Sequence, residues 1–384
     1  MHETKNYVTK QLKKAHIGVG GKKVVLRVSK DISKDCCHSI SEAVRIASTR
    51  VVKSNNAGSI KSLAESDKTT TEQEKIEMEP VEILVEPGVY EEVVEIRHPF
   101  VTVKGVEGPE KTILQYGNYA NMLMEDGSKR GTFRSYVLLL DGDANTLEGL
   151  TIRNTAWPRG KVAQAIALYA DGDGILVKNC HLESYQDTLF TGPLPPTAMI
   201  PGGFTGPKEF DERRMGRQIY EDCVIKGDVD FIFGSAMALF RNCNLVSRNG
   251  NAQADQAPGS GILGYVTAAS TPEGCPVGYV FDHCRFLGEG CPKGSVYLGR
   301  PWRDHAKTVL LNCELGAHIH PGGFHDWNKT KAHETVYYGE YQSIGEGADP
   351  SGRAPYVKQL SENQAMTFRN AFEERGNRVG DKET

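Results

Sequence analysis

A short local frame recurs along the second half of the chain and constrains the fold more than any other feature. In each copy an apolar run is followed by a polar residue, a cysteine and a second apolar stretch. The copies read ILVKNCHL, QIYEDCVI, ALFRNCNL, YVFDHCRF and TVLLNCEL, and they contain Cys180, Cys223, Cys243, Cys284 and Cys313. The successive cysteines lie 43, 20, 41 and 29 residues apart. These spacings correspond to one or two turns of a repeat of roughly 20–29 residues.

A parallel β-helix explains this pattern. Small inward side chains of one coil stack on those of the next coil at the strand spacing of about 4.8 Å. An asparagine at the bend is expected to bridge coils through its amide. Loops that leave at fixed corners account for the uneven spacing. We therefore predict an all-β fold, a single-stranded right-handed parallel β-helix, and a β-sandwich with recurrent strand ends remains the alternative.

The two ends of the chain differ from the repetitive middle. Apolar residues at helical spacing predict a short N-terminal helix within residues 39–48, capped by Ser39 or Ser41, which closes the end of the β-helix. Residues 1–23 are expected to form a tail, and residues 24–384 a single domain. Within that domain we predict a polar insertion at 51–78, a long loop at 191–217 that shapes a cleft, and a C-terminal extension at 346–384 packed on the β-helix.

Composition excludes several classes of partner. The net charge of the 384 residues is −4, and no run of apolar residues is long enough for a bilayer, so we expect neither nucleic acid nor membrane as a partner. The N-terminus lacks the pattern of a secretory leader, which favours the cytoplasm unless a leader has been removed. Nine cysteines, without metal-type spacing, predict free thiols and no metal site.

Two aspartates occupy equivalent positions in the repeat. Asp187 and Asp230 each follow a frame cysteine, Cys180 and Cys223 respectively, by seven residues. Equivalent positions stack on neighbouring coils, so the two carboxylates are expected to lie close together. Close carboxylates in a partly apolar setting have pKa values held apart, so that one serves as a proton donor. The alternative is that each aspartate only caps a turn.

Three further residue types suit ester or sugar chemistry. Gln164 and Gln186 could donate to an oxyanion, although an internal amide ladder is an equally good interpretation. Arg300 could hold a carboxylate with both arms of its guanidinium, and Trp302 could stack on a sugar ring. A surface arginine and a core tryptophan are the alternatives.

Five segments together resemble the pectin methylesterases, the pectinesterases of plants, fungi and bacteria. They occur in the family's order, and the resemblance extends over residues 24–345: PGVYEE (87–92), QAIAL (164–168), QDTL (186–189), DFIFG (230–234) and LGRPW (298–302). The resemblance implies a parallel β-helix that removes methyl esters from galacturonate in pectin or methylated oligogalacturonides, without metal or organic cofactor. We expect a monomer.

The resemblance also implies a role for each matching residue. Asp230 corresponds to the nucleophile and Asp187 to the acid/base. Gln164 and Gln186 correspond to the oxyanion donors, and Arg300 corresponds to the partner of the nucleophile. Trp302 corresponds to a substrate-stacking residue, and Phe233 and Phe190 correspond to aromatic residues of the cleft. Phe190 stands where the family commonly has tyrosine. A non-catalytic pectin-binding β-helix, a polygalacturonase and a pectate lyase are the alternatives on the same scaffold.

Overall fold

The computed structural model describes residues 23–49, 51–53, 76–250 and 261–373. In these residues the chain winds through three parallel sheets in a fixed order, and each strand pairs with the equivalent strand of the next coil. This is the predicted parallel β-helix. The first sheet has eleven strands: Val24–Val28, Val81–Val85, Val101–Gly105, Thr146–Glu148, Ile175–Lys178, Arg217–Glu221, Met237–Arg241, Tyr279–Asp282, Lys307–Leu311, Tyr337–Tyr341 and Val357–Gln359.

The other two sheets complete each coil. The second sheet has eight strands: Gly88–Glu91, Thr112–Tyr116, Thr151–Asn154, His181–Glu183, Val224–Gly227, Asn244–Arg248, Arg285–Glu289 and Glu314–Leu315. The third sheet has seven strands: Val94–Ile96, Leu138–Leu140, Leu168–Ala170, Leu189–Thr191, Val229–Gly234, Gly264–Ala269 and Val296–Pro301. A separate antiparallel pair joins Val51–Lys53 to Ile76–Met78.

The repeated cysteine frame is the corner between the first and second sheets. Each frame cysteine is preceded by a residue in the left-handed region, with φ between 48° and 55°: Asn179, Asp222, Asn242, His283 and Asn312. Asparagine and aspartate tolerate this conformation better than most residues because their short polar side chains can hydrogen-bond locally. Backbone conformation therefore explains the polar residue at each corner, and Asn242 also makes the expected amide bridge between coils, from Nδ2 to Asp222 Oδ1 at 3.5 Å.

The frame cysteines point into the β-helix as predicted. All five are buried and free, and they stack from coil to coil. The thiols of Cys223, Cys243, Cys284 and Cys313 donate to backbone carbonyls of the neighbouring coil, as in the Cys223 Sγ to Val177 O contact of 3.4 Å. Burial raises the pKa of the Cys180 thiol to about 12. Burial also raises the pKa of the Cys223 and Cys284 thiols, so these three thiols contribute neutral packing.

Helices close or brace the β-helix. They are α1 (Ile40–Ser48), the short α2 (Arg159–Val162) and α3 (Glu362–Glu373), with 3₁₀ turns at Thr132–Arg134, Thr330–Glu334 and Pro350–Gly352. Ser39 caps α1 by accepting a hydrogen bond from the Glu42 amide at 3.0 Å, which confirms the predicted capping helix. The buried face of α1 covers the first coils, and its members are Ile40, Ala43, Val44 and Ala47.

The C-terminal segment lies along the outer face of the first sheet. Phe368 and Phe372 of α3 pack with Leu239 and Val309 of that sheet in a separate apolar cluster. Arg369 adds an ion pair to Asp282, at 2.8 Å. The predicted extension ends in residues 374–384, which lie outside the described residues, as do residues 1–22 of the predicted tail and 54–75 of the predicted insertion. Within the described parts of the chain, no helix combines the length and apolar character needed to cross a bilayer.

Candidate active site

The candidate site lies on the outer face of the third sheet. Strand register places Tyr169, Phe190, Phe233, Ala268 and Arg300 side by side in one row across five neighbouring strands. Ala268 is the small member of this row, and it leaves a hollow between Phe233 and Arg300. The hollow opens into a cleft of about 750 Å³, including its solvent-open space.

Asp187 and Asp230 lie on neighbouring coils, as predicted. Leu189 pairs with Ile232, so the two coils are offset by the same 43 residues that separate the two aspartates. The Asp187 amide donates to the Val229 carbonyl at 3.1 Å, which locks one aspartate-bearing turn to the other. Both carboxylates line the cleft, although their residues are only 7% and 6% exposed.

Both aspartates have a left-handed backbone. Their φ angles are 66° at Asp187 and 51° at Asp230, and Asp230 lies where the strand pairing shifts register between Val229 and Ile232. A bulge of this kind re-aims a side chain relative to the regular in-and-out alternation of a strand. Here it turns the Asp230 carboxylate towards the outer face, where Arg300 lies.

Arg300 holds the Asp230 carboxylate with both arms of its guanidinium. Nε donates to Oδ1 at 2.8 Å and Nη2 donates to Oδ2 at 2.6 Å. Burial lowers the pKa of Arg300, but the adjacent Asp230 carboxylate outweighs this effect and the net pKa is raised. The guanidinium therefore stays charged, and it fixes the orientation of the carboxylate.

Two aromatic rings enclose the same guanidinium. Its central carbon lies 4.0 Å from the ring centroid of Tyr265 and 3.7 Å from that of Trp327. A cation between aromatic faces is stabilised by both ring quadrupoles. Tyr265 and Trp327 thus restrict Arg300 to one orientation. The sequence analysis missed both residues, because neither belongs to the repeated frame or to the five segments of the resemblance.

The two glutamines also line the cleft. Gln164 and Gln186 sit at successive turns, linked by a hydrogen bond of 3.1 Å from the Ala165 amide to the Gln186 carbonyl. The side-chain Oε1 of Gln186 is buried and accepts no hydrogen bond from the described residues. No internal amide ladder therefore runs through this oxygen among the described residues.

The aromatic wall agrees with prediction in two of three positions. Trp302 is partly buried and Phe233 is 4% exposed, and both line the cleft. Phe190 does not line it, because its side chain is fully buried. It packs 5.1 Å from Phe133 and 4.6 Å from Tyr169, ring centroid to ring centroid. The prediction for Phe190 was wrong, since aromatic rings from other segments cover it and leave it beneath the cleft.

The predicted long loop forms part of the cleft rim. No helix or strand is present between Thr191 and Arg217, and the loop contributes Met199, Ile200, Gly203 and Phe204 to the lining. Arg303 ties this loop to the Trp302 side of the cleft through a 2.7 Å hydrogen bond to the Thr197 carbonyl. Lys208 anchors its other half to Asp141 at 2.6 Å.

Phe133 is a further cleft residue that the sequence analysis did not assign. Its ring stacks near Trp302 with a centroid separation of 6.4 Å and packs against Phe204 at 5.6 Å. It belongs to the TFRS segment, residues 132–135, but it has no counterpart in the cysteine frame. Among the residues that the structure describes, no three His, Cys, Asp or Glu side chains gather where they could hold a metal ion.

Comparison with known proteins shows the family of the chain. The sequence matches the family model described as Pectinesterase over residues 49–193 and 213–373. It is 30% identical over 329 residues to pectinesterase/pectinesterase inhibitor 18 of Arabidopsis thaliana, which covers 84% of this chain and 52% of that relative. The chain spans about half the length of the first curated relatives that it matches.

Solved structures resemble the whole fold. The pectin methylesterase from carrot has a TM-score of 0.68 and 27% sequence identity, covering 94% of this chain and 96% of its own. A pectin methylesterase in complex with hexasaccharide VII has a TM-score of 0.67 and 28% identity, covering 92% of this chain and 97% of its own. Both similarities extend over nearly all of each chain.

Proposed function

Because the chain belongs to the pectinesterase family, we propose that it removes methyl esters from galacturonate residues of pectin or of methylated oligogalacturonides and releases methanol. The observation that carries the proposal is the Asp230 carboxylate, held by both arms of Arg300 in a cleft that Asp187 also lines. This arrangement suits nucleophilic catalysis, since an ionised, oriented carboxylate faces a second carboxyl group that can exchange protons.

Asp230 is the proposed nucleophile. One of its oxygens attacks the ester carbonyl carbon, and the electron pair of the C=O bond moves onto the carbonyl oxygen to form a tetrahedral oxyanion. The amides of Gln164 and Gln186 are the proposed donors to that oxyanion. Neutral amides suit this task, because they stabilise the developing charge without an ion of their own to desolvate.

Asp187 is the proposed acid and then the base. In its protonated form it gives a proton to the departing methoxide, so methanol leaves and an anhydride joins the galacturonate to Asp230. The Asp187 carboxylate then takes a proton from water, and the resulting hydroxide attacks the galacturonate carbonyl of the anhydride. Asp230 leaves as a carboxylate, Asp187 is protonated again, and the product acid loses its proton to solvent.

The walls of the cleft suit a carbohydrate chain. Trp302 and Phe233 supply aromatic faces for the C–H surface of a sugar ring, and Met199 and Ile200 add an apolar rim. The related pectin methylesterase in complex with hexasaccharide VII supports an oligosaccharide as the ligand. We therefore propose that the cleft binds one methylated galacturonate of a longer chain.

Product analysis tests the proposal. Methylated pectin is incubated with the protein, and methanol, reducing ends and unsaturated products are measured in parallel. We expect methanol without new reducing ends or unsaturated products. Reducing ends would indicate hydrolysis of the glycosidic bond and unsaturated products a lyase, and the absence of all three would favour a non-catalytic pectin-binding protein.

A further inference from the structure

An exposed tryptophan marks a second surface beside the candidate site. Trp157 is 49% exposed, whereas Trp302 and Trp327 are both partly buried. One side of its ring packs on Tyr185, with 4.5 Å between the ring centroids. Tyr185 immediately precedes Gln186 of the cleft, so this surface adjoins the cleft through the chain itself.

A cation completes this surface. The guanidinium carbon of Arg248 lies 4.5 Å from the centroid of the Tyr185 ring, and its Nη1 donates to the Ser184 carbonyl at 3.1 Å. We call Trp157, Tyr185 and Arg248 the Trp157 ledge. They follow or end three different strands of the second sheet, so the ledge runs along the axis of the β-helix.

The ledge has positive charge. Arg248 and Lys226 both face the single carboxylate of Glu289, at 4.0 Å and 3.0 Å. Two cations therefore share one anion, and the surface is complementary to an anionic ligand. An exposed indole ring and a guanidinium that both contact the Tyr185 ring suit a sugar chain that carries a carboxylate, because the indole packs on C–H groups while the guanidinium binds the acid.

We propose that the Trp157 ledge binds a de-esterified galacturonate unit of the same pectin chain whose methylated unit lies in the cleft. The proposal rests on the proposed function. It predicts that chains already partly de-esterified are bound at two places, the cleft and the ledge. A short, fully methylated substrate that fills only the cleft gains nothing from the ledge.

Substrate length provides the test. Methanol release is measured with a long, partly methylated oligogalacturonate and with a fully methylated trisaccharide. Trp157→Ala should lower kcat/KM for the long substrate about fivefold, the effect of one lost ring contact, with a much smaller change for the trisaccharide. Trp157→Phe should restore most of the loss. Ile344→Ala, at an apolar side chain that is 65% exposed elsewhere, is the control for surface substitution.

A second variant tests the charged part of the ledge. De-esterified hexagalacturonate is used as a competitive inhibitor of methanol release, and Arg248→Gln should raise its inhibition constant about fivefold at low salt and less at high salt. Equal losses on both substrates for Trp157→Ala, or an unchanged inhibition constant for Arg248→Gln, would overturn the ledge. If the unmodified chain released no methanol at all, the proposed function itself would fail.

Discussion

Arg300 and Asp230 form a two-armed ion pair whose donor and acceptor come from strands two coils apart. The contacts measure 2.8 Å and 2.6 Å, and Tyr265 and Trp327 enclose the guanidinium from both sides. A carboxylate held in this way is fixed in direction next to a charged guanidinium. Nucleophilic attack by Asp230 requires a fixed direction, so the pair links the packing of the third sheet to the chemistry that we propose.

Replacing Arg300 tests the geometry of this pair. Arg300→Lys keeps the charge but loses the planar fork and its fit between two rings. We expect kcat to fall about tenfold to a hundredfold, as for the loss of one charged hydrogen bond of about 1.5–3 kcal/mol. Arg285→Lys, whose parent residue pairs with Glu314 on the second sheet and does not line the cleft, is the matched control. Similar rates for the two variants would argue against the positioning role.

The glutamines provide a separate test of oxyanion stabilisation. Gln164→Leu and Gln186→Leu should each lower kcat by about 10²–10³ with little change in KM, since the amide acts only when charge develops. Gln115→Leu, on the outside of the second sheet, should have no such effect. A change confined to KM would assign the two amides to substrate binding.

Trp302 is expected to act in binding. Trp302→Ala should raise KM severalfold and leave kcat within about threefold, because the aspartates and Arg300 keep their contacts. Trp302→Phe should recover much of the affinity. Initial rates at varied pectin concentration separate the two parameters, and a fall in kcat alone would contradict this role.

A buried carboxyl group near the long loop should affect stability. Burial raises the pKa of Asp171 to about 7, with Lys208 opposing the rise and Asp141 adding to it. Between about pH 4 and pH 7 the folded chain retains a proton that the unfolded chain has lost, so the free energy of unfolding falls as the pH rises. Above about pH 7 Asp171 has lost its proton in the folded chain as well, so this group no longer changes the free energy of unfolding as the pH rises.

Asp171→Asn removes that titration. The variant should be more stable than the parent at pH 8, by on the order of 4 kcal/mol, and nearly equal to it at pH 4. Urea unfolding followed by circular dichroism at both pH values measures the difference. Ile344→Ala, which alters no titratable group, is the control and should keep the pH dependence of the parent. Equal pH dependence of Asp171→Asn and the parent would refute the assignment.

The repeated frame made both the fold and the aspartate pair predictable. A left-handed residue followed by a buried cysteine recurs at five successive corners, and Leu150 occupies the equivalent position in the coil before them. Counting seven residues from Cys180 and Cys223 therefore located Asp187 and Asp230 on neighbouring coils. Regular stacking converts equal spacing in sequence into proximity in space.

Contacts between irregular segments could not be predicted in the same way. Phe190 was expected in the cleft wall, but Phe133 and Phe204 from two non-repetitive segments lie over this region. Trp327 likewise approaches Arg300 from a segment without strand periodicity, and its φ of 55° gives no signal in the sequence. Such contacts depend on where each loop returns to the sheet, and the spacing of residues in the sequence does not predict that position.

The identity of the nucleophile is the central claim, and methanol release by Asp230→Asn tests it most directly. The measurement compares this variant with the parent and with the matched control Asp228→Asn, two residues away. The Asp228 side chain is buried, accepts a hydrogen bond from the Val229 amide and does not line the cleft. Circular dichroism and thermal unfolding establish that each variant is folded. We predict no detectable methanol from folded Asp230→Asn and substantial release by Asp228→Asn. Near-normal release by folded Asp230→Asn would contradict the covalent mechanism.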